Sequence, residues 1–171
     1  CFEACLRRQD LSPAIGHSLT SGILIAMEPL MSQQSGDSRL RWWRDQPLGI
    51  SGCGGILLGL QHLGRGDWVD VLVEAALPRF IEADQQLDVI GGSAGLIGSL
   101  LAQKSEDALR LAVAAGDHLL ERQQPQGSWL SGRDTIGLLG FSHGTAGYAA
   151  ALARLHATTD EERSRRGAEA A

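Results

Sequence analysis

Apolar residues recur along the chain in short blocks at helical spacing, and each block is preceded by a cluster of glycines. Ile56, Leu57, Leu60 and Leu63 form one stripe, Leu96, Ile97, Leu100 and Leu101 a second, and Tyr148, Leu152 and Leu155 a third. Residues three and four apart share a helix face, so each block predicts a buried helix. Two longer amphipathic stretches lie between them, Val69, Leu72, Val73, Ala76, Leu77 and Phe80, then Ala108, Leu111, Ala112, Ala115 and Leu119. Their spacing is that of a helix with one buried face. Asp67 and Ser105 stand where N-caps are expected, Pro78 should kink or shorten the first of these helices, and a turn at Thr158-Thr159-Asp160 should cap a final charged helix. No segment of useful length alternates apolar and polar residues as a half-buried strand would, so the pattern predicts an all-α fold.

The glycine clusters are an internal repeat. Ser51-Gly52-Cys53-Gly54-Gly55-Ile56, Gly91-Gly92-Ser93-Ala94-Gly95-Leu96 and Gly140-Phe141-Ser142-His143-Gly144-Thr145-Ala146-Gly147 share the order Gly, small, small, Gly. Their closing glycines are about 40 and 50 residues apart, within the range of stacked helical pairs. Thr20-Ser21-Gly22-Ile23 reads as a degenerate fourth copy. Each unit is a Gly-entered apolar helix followed by an amphipathic one, which predicts an inner layer of buried helices shielded by an outer layer. Inner helices are expected to begin near Gly55, Gly95 and Gly147, with their entrances on one side of an incomplete ring. The loop from Gln124 to Gly140 is long for such a fold and has Trp129 as its large anchor; it reads either as a functional segment or as an insertion. Residues 1–46 carry little beyond the faint repeat, a polar loop from Ser32 to Asp37 and the pair Trp42-Trp43.

Composition narrows the partners. Asp and Glu outnumber Lys and Arg by 20 to 15, so the net charge of -5 gives no electrostatic reason to expect nucleic acid or an anionic membrane. The longest apolar run, Gly22 to Met27, is too short to span a bilayer, and a cytoplasmic location is expected. The chain opens on Cys1 and closes on Ala171 without a capping signal, so both ends read as cut from a longer chain. Cys1, Cys5 and Cys53 are an odd set, which excludes a complete disulfide framework and favours reduced thiols. Cys1 and Cys5 could share a helix face as metal ligands, but no second pair at zinc-like spacing supports them. Cys53 holds the repeat position that Ser93 and Thr145 hold elsewhere, the place of a small space-filling residue.

Two residues carry candidate chemistry. The third glycine motif alone has a titratable side chain, His143, at a helix entrance facing the common centre; the alternative role is capping or packing. Asp88, before the Gly91 turn, reads equally as a helix cap. The motifs Asp88-Val89-Ile90-Gly91-Gly92-Ser93-Ala94-Gly95 and Gly140 to Gly147 resemble the lanthionine synthetase C-like family, closest to the C-terminal cyclase domain of LanM-type class II lanthipeptide synthetases. Gly49-Ile50-Ser51-Gly52-Cys53-Gly54-Gly55 fits the preceding glycine motif, and the resemblance covers about residues 47 to 171.

That resemblance implies an α/α toroid, here its N-terminal part as a partial domain over residues 47–171, with 1–46 a poorly matched segment. It implies cyclisation of a precursor peptide by addition of cysteine thiols to dehydroalanine or dehydrobutyrine, giving thioether rings. By motif position Asp88 and His143 fall on the family's acid/base residues. Zinc is implied for the complete domain, but its two cysteines and histidine belong to later motifs with no match here, so the chain is expected to be the inactive first half of a cyclase, partnered by the rest of the synthetase. Two rival functions remain. A carbohydrate-active α/α toroid would need paired carboxylates, with Asp88 joined by Glu82, Asp84 or Asp134. A non-catalytic repeat scaffold would bind a peptide on its concave face.

Overall fold

Burial of one stripe per helix organises the fold, and seven helices with no strand make up the described part of the chain. The computed structural model describes Ser21 and residues 46–75, 77–131 and 136–171. Cys1, Cys5, the Trp42-Trp43 pair, Asp134 and the faint repeat other than Ser21 lie outside the described residues. The helices are α1 (Cys53–His62), α2 (Gly66–Ala75), α3 (Leu77–Ala83), α4 (Ser93–Gln103), α5 (Glu106–Glu121), α6 (Thr145–Thr159) and α7 (Glu162–Glu169).

The three Gly-entered helices α1, α4 and α6 form the inner layer. α4 packs against both α1 and α6, while α2, α3, α5 and α7 cover them. The stripes read from the sequence are the core: Leu57 and Leu60, Leu96, Ile97 and Leu100, and Leu152 and Leu155 meet Leu72, Leu77, Ala108, Ala112, Ala115 and Leu119 of the covering helices. Gly116 of α5 lets the Leu155 side chain approach, and Gly167 of α7 does the same for Leu120. The result is an arc of inner and outer helix pairs, part of an α/α toroid.

Several local expectations hold. Ser105 caps α5 by accepting the Ala108 amide at 3.2 Å, with Glu106 and Asp107 in the favoured acidic first turn. Pro78 lies within α3 (Leu77–Ala83), and Ala76, between α2 and α3, lies outside the described residues. Trp129 anchors the long loop by donating its indole N–H to the Leu119 carbonyl at 2.7 Å and packing on Tyr148, ring centroids 4.9 Å apart.

Others are corrected. Asp67 is not an N-cap: α2 begins at Gly66, and Asp67 lies in its first turn, where Arg65 holds its carboxyl below the usual range by a two-pronged hydrogen bond. The turn expected at Thr158-Thr159-Asp160 is helical as far as Thr159: α6 runs to that residue, and Asp160, in the left-handed conformation (φ 57°), ends it. α7 therefore starts after Glu161 with no side-chain cap. The inner helices begin at Cys53, Ser93 and Thr145, within two residues of Gly55, Gly95 and Gly147 as expected.

Candidate functional site

The site is built by the three glycine loops, which lie side by side. The amides of Leu48, Ile50 and Ser51 donate to the carbonyls of Gly91, Val89 and Ile90 at 2.8, 3.2 and 3.0 Å, and the Val89 amide donates to the Ser142 carbonyl at 3.2 Å. The entrances of α1, α4 and α6 are thus one continuous rim. Glycine is required there by close approach. A Cβ on Gly95 would run into the Val89 carbonyl oxygen, and one on Gly147 into that of Phe141.

This rim brings Asp88 and His143 together across 55 positions of sequence, with His143 Nδ1 2.7 Å from Asp88 Oδ2. The carboxylate is buried, its side chain 8% exposed, whereas the imidazole is 56% exposed. Asp88 Oδ1 accepts the Gly91 amide at 2.7 Å, so one oxygen is fixed by the turn and the other holds the ring. An ionised carboxylate only accepts, so Nδ1 carries the hydrogen and Nε2 is the nitrogen left to exchange a proton with a bound molecule. Asp88 is a turn-capping residue and the orienting partner of His143 at once; the two readings of this residue are not exclusive.

Asp84, which the sequence offers only as a candidate second carboxylate of a carbohydrate-active toroid, has a structural task that the pattern does not show. Its Oδ2 accepts the Ser93 amide and hydroxyl, both at 2.7 Å, and the Leu87 amide at 3.2 Å, while Oδ1 accepts the Gln86 amide at 2.9 Å. His118 of α5 holds the Asp84 carbonyl through Nε2 at 3.0 Å and meets Arg122 through Nδ1 at 3.1 Å. At the equivalent first turns of α1 and α6, backbone carbonyls take the carboxylate's place: the Cys53 amide donates to Pro47 and the Thr145 amide to Leu138, each at 2.8 Å. The available signal was that Gly92, before α4, offers no side chain to cap that helix. With Asp84 buried and saturated by the backbone, it cannot serve as the second carboxylate of a glycosidase. Glu82 is exposed on α3.

Cys53 is fully buried, and burial pushes its thiol up to about 11 from an ordinary 9.0. It is an inert filler rather than a nucleophile. Among the described residues no three His, Cys, Asp or Glu side chains gather as a metal set, and His143 already spends Nδ1 on Asp88. The zinc implied by the resemblance does not fit these residues, and no chemical step derived below passes through it.

Beneath the rim, α1, α4 and α6 line a groove of about 350 Å³ that includes Ile50, Val89 and Phe141 at the loop end. No helix among the described residues is long and apolar enough to cross a membrane. Comparison with curated proteins and with solved structures gives no match. The family model described as lanthionine synthetase C-like protein matches residues 45–171, which span all seven helices, the three-loop rim and the Asp88–His143 pair. The chain belongs to the lanthionine synthetase C-like family.

Proposed function

We propose that the chain is part of a lanthipeptide cyclase of the LanM type, in which His143 and Asp88 serve the addition of a cysteine thiol to dehydroalanine or dehydrobutyrine in a precursor peptide. The observation that carries this reading is the 2.7 Å contact between His143 Nδ1 and Asp88 Oδ2 at the mouth of the inner helices. The S–H bond breaks as His143 Nε2 takes the thiol proton, the sulfur forms a bond to the β-carbon of the alkene, the π electrons move onto the carbonyl as an enolate, and the α-carbon then takes a proton back from that nitrogen. His143 Nε2 faces outward from its tether and delivers that proton, or holds the enolate oxygen by a hydrogen bond before delivery. Asp88 keeps the ring in one tautomer and supports the charge on it when protonated. Any zinc of a complete cyclase domain would be held by residues other than those described here, and the chemistry it would supply is a thiol of lowered proton affinity. A plain peptide-binding scaffold has no use for an exposed imidazole locked to a buried carboxylate.

The test uses the full-length protein and a dehydrated precursor peptide. In His143→Ala, thioether formation measured by mass spectrometry slows by about a hundredfold or more, or the ring pattern becomes mixed, while the melting temperature stays near that of the parent. Asp88→Asn slows it less, because the amide retains part of the tether. If both variants lose only about 1 kcal/mol of stability, as for a lost cap, and cyclise at the parent rate with the parent ring pattern, the two residues are structural and the proposal is wrong.

A further inference from the structure

The groove below the rim holds one charged side chain, Arg154, two-thirds of the way along α6. Its remaining lining is small or apolar. Gly98 and Ala102 of α4 and Ala150 of α6 give it a shallow floor, and Ile50 and Phe141, 47% and 60% exposed, form an apolar rim at the loop end. Arg154 crosses from α6 toward α4: its Nη1 lies 3.5 Å from where a Cβ on Gly98 would stand, an ordinary contact distance that places the guanidinium over the α4 side of the groove. No carboxylate lines the groove, and no hydrogen bond or ion pair of the Arg154 guanidinium is found among the described residues. On a chain of net charge -5, the one charge in this concave surface is positive.

We propose that Arg154 is a specificity-determining residue that pairs with an acidic side chain of the bound peptide. The position follows from helix geometry. Nine residues separate Thr145, at the α6 entrance beside His143, from Arg154, which is about 14 Å along the axis at about 1.5 Å per residue. An extended peptide covers that distance in about four residues. The favoured substrate therefore carries Asp or Glu about four positions from the residue protonated at His143, with an apolar residue near that site against Phe141 and Ile50. The planar fork of an arginine suits a carboxylate because two N–H groups can engage both oxygens. This inference rests on the cyclase reading for the identity of the peptide, but the pairing itself is a binding property and is measured without chemistry.

The probes are fluorescein-labelled peptides of about ten residues, built from Ala, Ser and one Phe, with Ala in place of both reacting residues. One carries Glu and another Lys about four positions from the Ala that stands for the protonated site. With the full-length protein, fluorescence anisotropy at low salt is expected to show the Glu peptide binding about tenfold more tightly than the Lys peptide, a difference that shrinks as salt is raised. Arg154→Gln removes the preference and Arg154→Glu reverses it, with helical content by circular dichroism unchanged. Equal affinity of the two peptides, or a preference that survives Arg154→Gln, overturns the proposal. The cyclase reading is judged separately on the precursor. A protein that forms no thioether but shows the Arg154-dependent preference keeps this assignment and loses the catalytic one, whereas thioether formation without the preference does the reverse.

Discussion

Asp84 and Asp88 are both buried carboxylates four residues apart, and their different partners give them different work. Asp84 accepts three amides and a hydroxyl, all within its own loop and the first turn of α4, whereas Asp88 gives one oxygen to an amide and the other to an exposed ring. Removing Asp84 strands several buried donors at once, and hydrogen bonds to charged groups contribute about 1.5–3 kcal/mol each. Asp84→Ala is therefore expected to cost about 3 kcal/mol or more in chemical denaturation; a loss below about 1 kcal/mol would mean that water takes over its role. Cys53 supplies a pH signature. Burial raises its thiol from 9.0 to about 11, so the folded chain holds this proton more firmly than the unfolded chain. Its contribution is complete below about 9 and is lost as pH rises through about 11, roughly 2–3 kcal/mol in all. Urea unfolding at pH 8, 9.5 and 11 should show the parent losing its margin over Cys53→Ala along this range; a constant margin would show that the thiolate is solvated in the fold. His143 stands out in the sequence as the titratable side chain within the repeat, whereas Asp88 lies before its glycine turn and is singled out by the family resemblance. The task of Asp84 was not legible, since a spacing pattern does not reveal which side chain a turn folds back onto a helix end.

The inner helices show what each glycine of the repeat is for. Gly52, Gly92 and Gly144 are the N-caps, and Gly55, Gly95 and Gly147 fall in the third helical position, already inside the helix. The sequence pattern places each helix start near the closing glycine of its motif. In the fold that glycine is there because the preceding loop crosses directly over the first turn, with the carbonyls of Ile50, Val89 and Phe141 against the three positions. A methyl group cannot be accommodated without moving backbone. Gly95→Ala should thus destabilise by about 1–3 kcal/mol and, since the displaced carbonyl belongs to the neighbour of Asp88, also slow the cyclisation proposed above. Gly59, in the interior of α1, is the control, as nothing lies within 4 Å of a Cβ placed there. Gly59→Ala should gain about 0.5–1 kcal/mol from reduced freedom of the unfolded chain. Denaturant midpoints of the two variants moving in the same direction would contradict this division of glycines into packed and unpacked positions. The apolar stripes are buried largely as read, with Leu63 falling just past α1 as its C-cap and Ala76 outside the described residues, because a helix that buries one face declares it at every third and fourth residue.

At the scale of the whole molecule, the pairing of His143 with Asp88 is a property of how adjacent repeats are joined rather than of either motif alone. The α1 loop donates three amides to the α4 loop, and the α4 loop donates the Val89 amide to the α6 loop, so the rim is closed by backbone bonds that span the repeats. The loop after α5 adds Ser131, whose hydroxyl donates to the Gln86 carbonyl at 2.5 Å, and Trp129 fixes that same loop to α5 and α6. The rim can separate only if inner helices part, and these share one core with the outer layer. Native-state hydrogen exchange reads this coupling directly. The amides of Leu48, Ile50, Ser51 and Val89, although in loops, should exchange with the same free energy as the core amides of α4, such as Ile97 and Leu100, and should respond to denaturant with the same steep slope. The alternative is local opening, in which these four amides exchange orders of magnitude faster with little denaturant dependence. That outcome would mean that the distance between His143 and Asp88 is set by loop fluctuation, so that substrate binding would have to assemble the pair. Global exchange means that the helix core holds it ready before any peptide arrives.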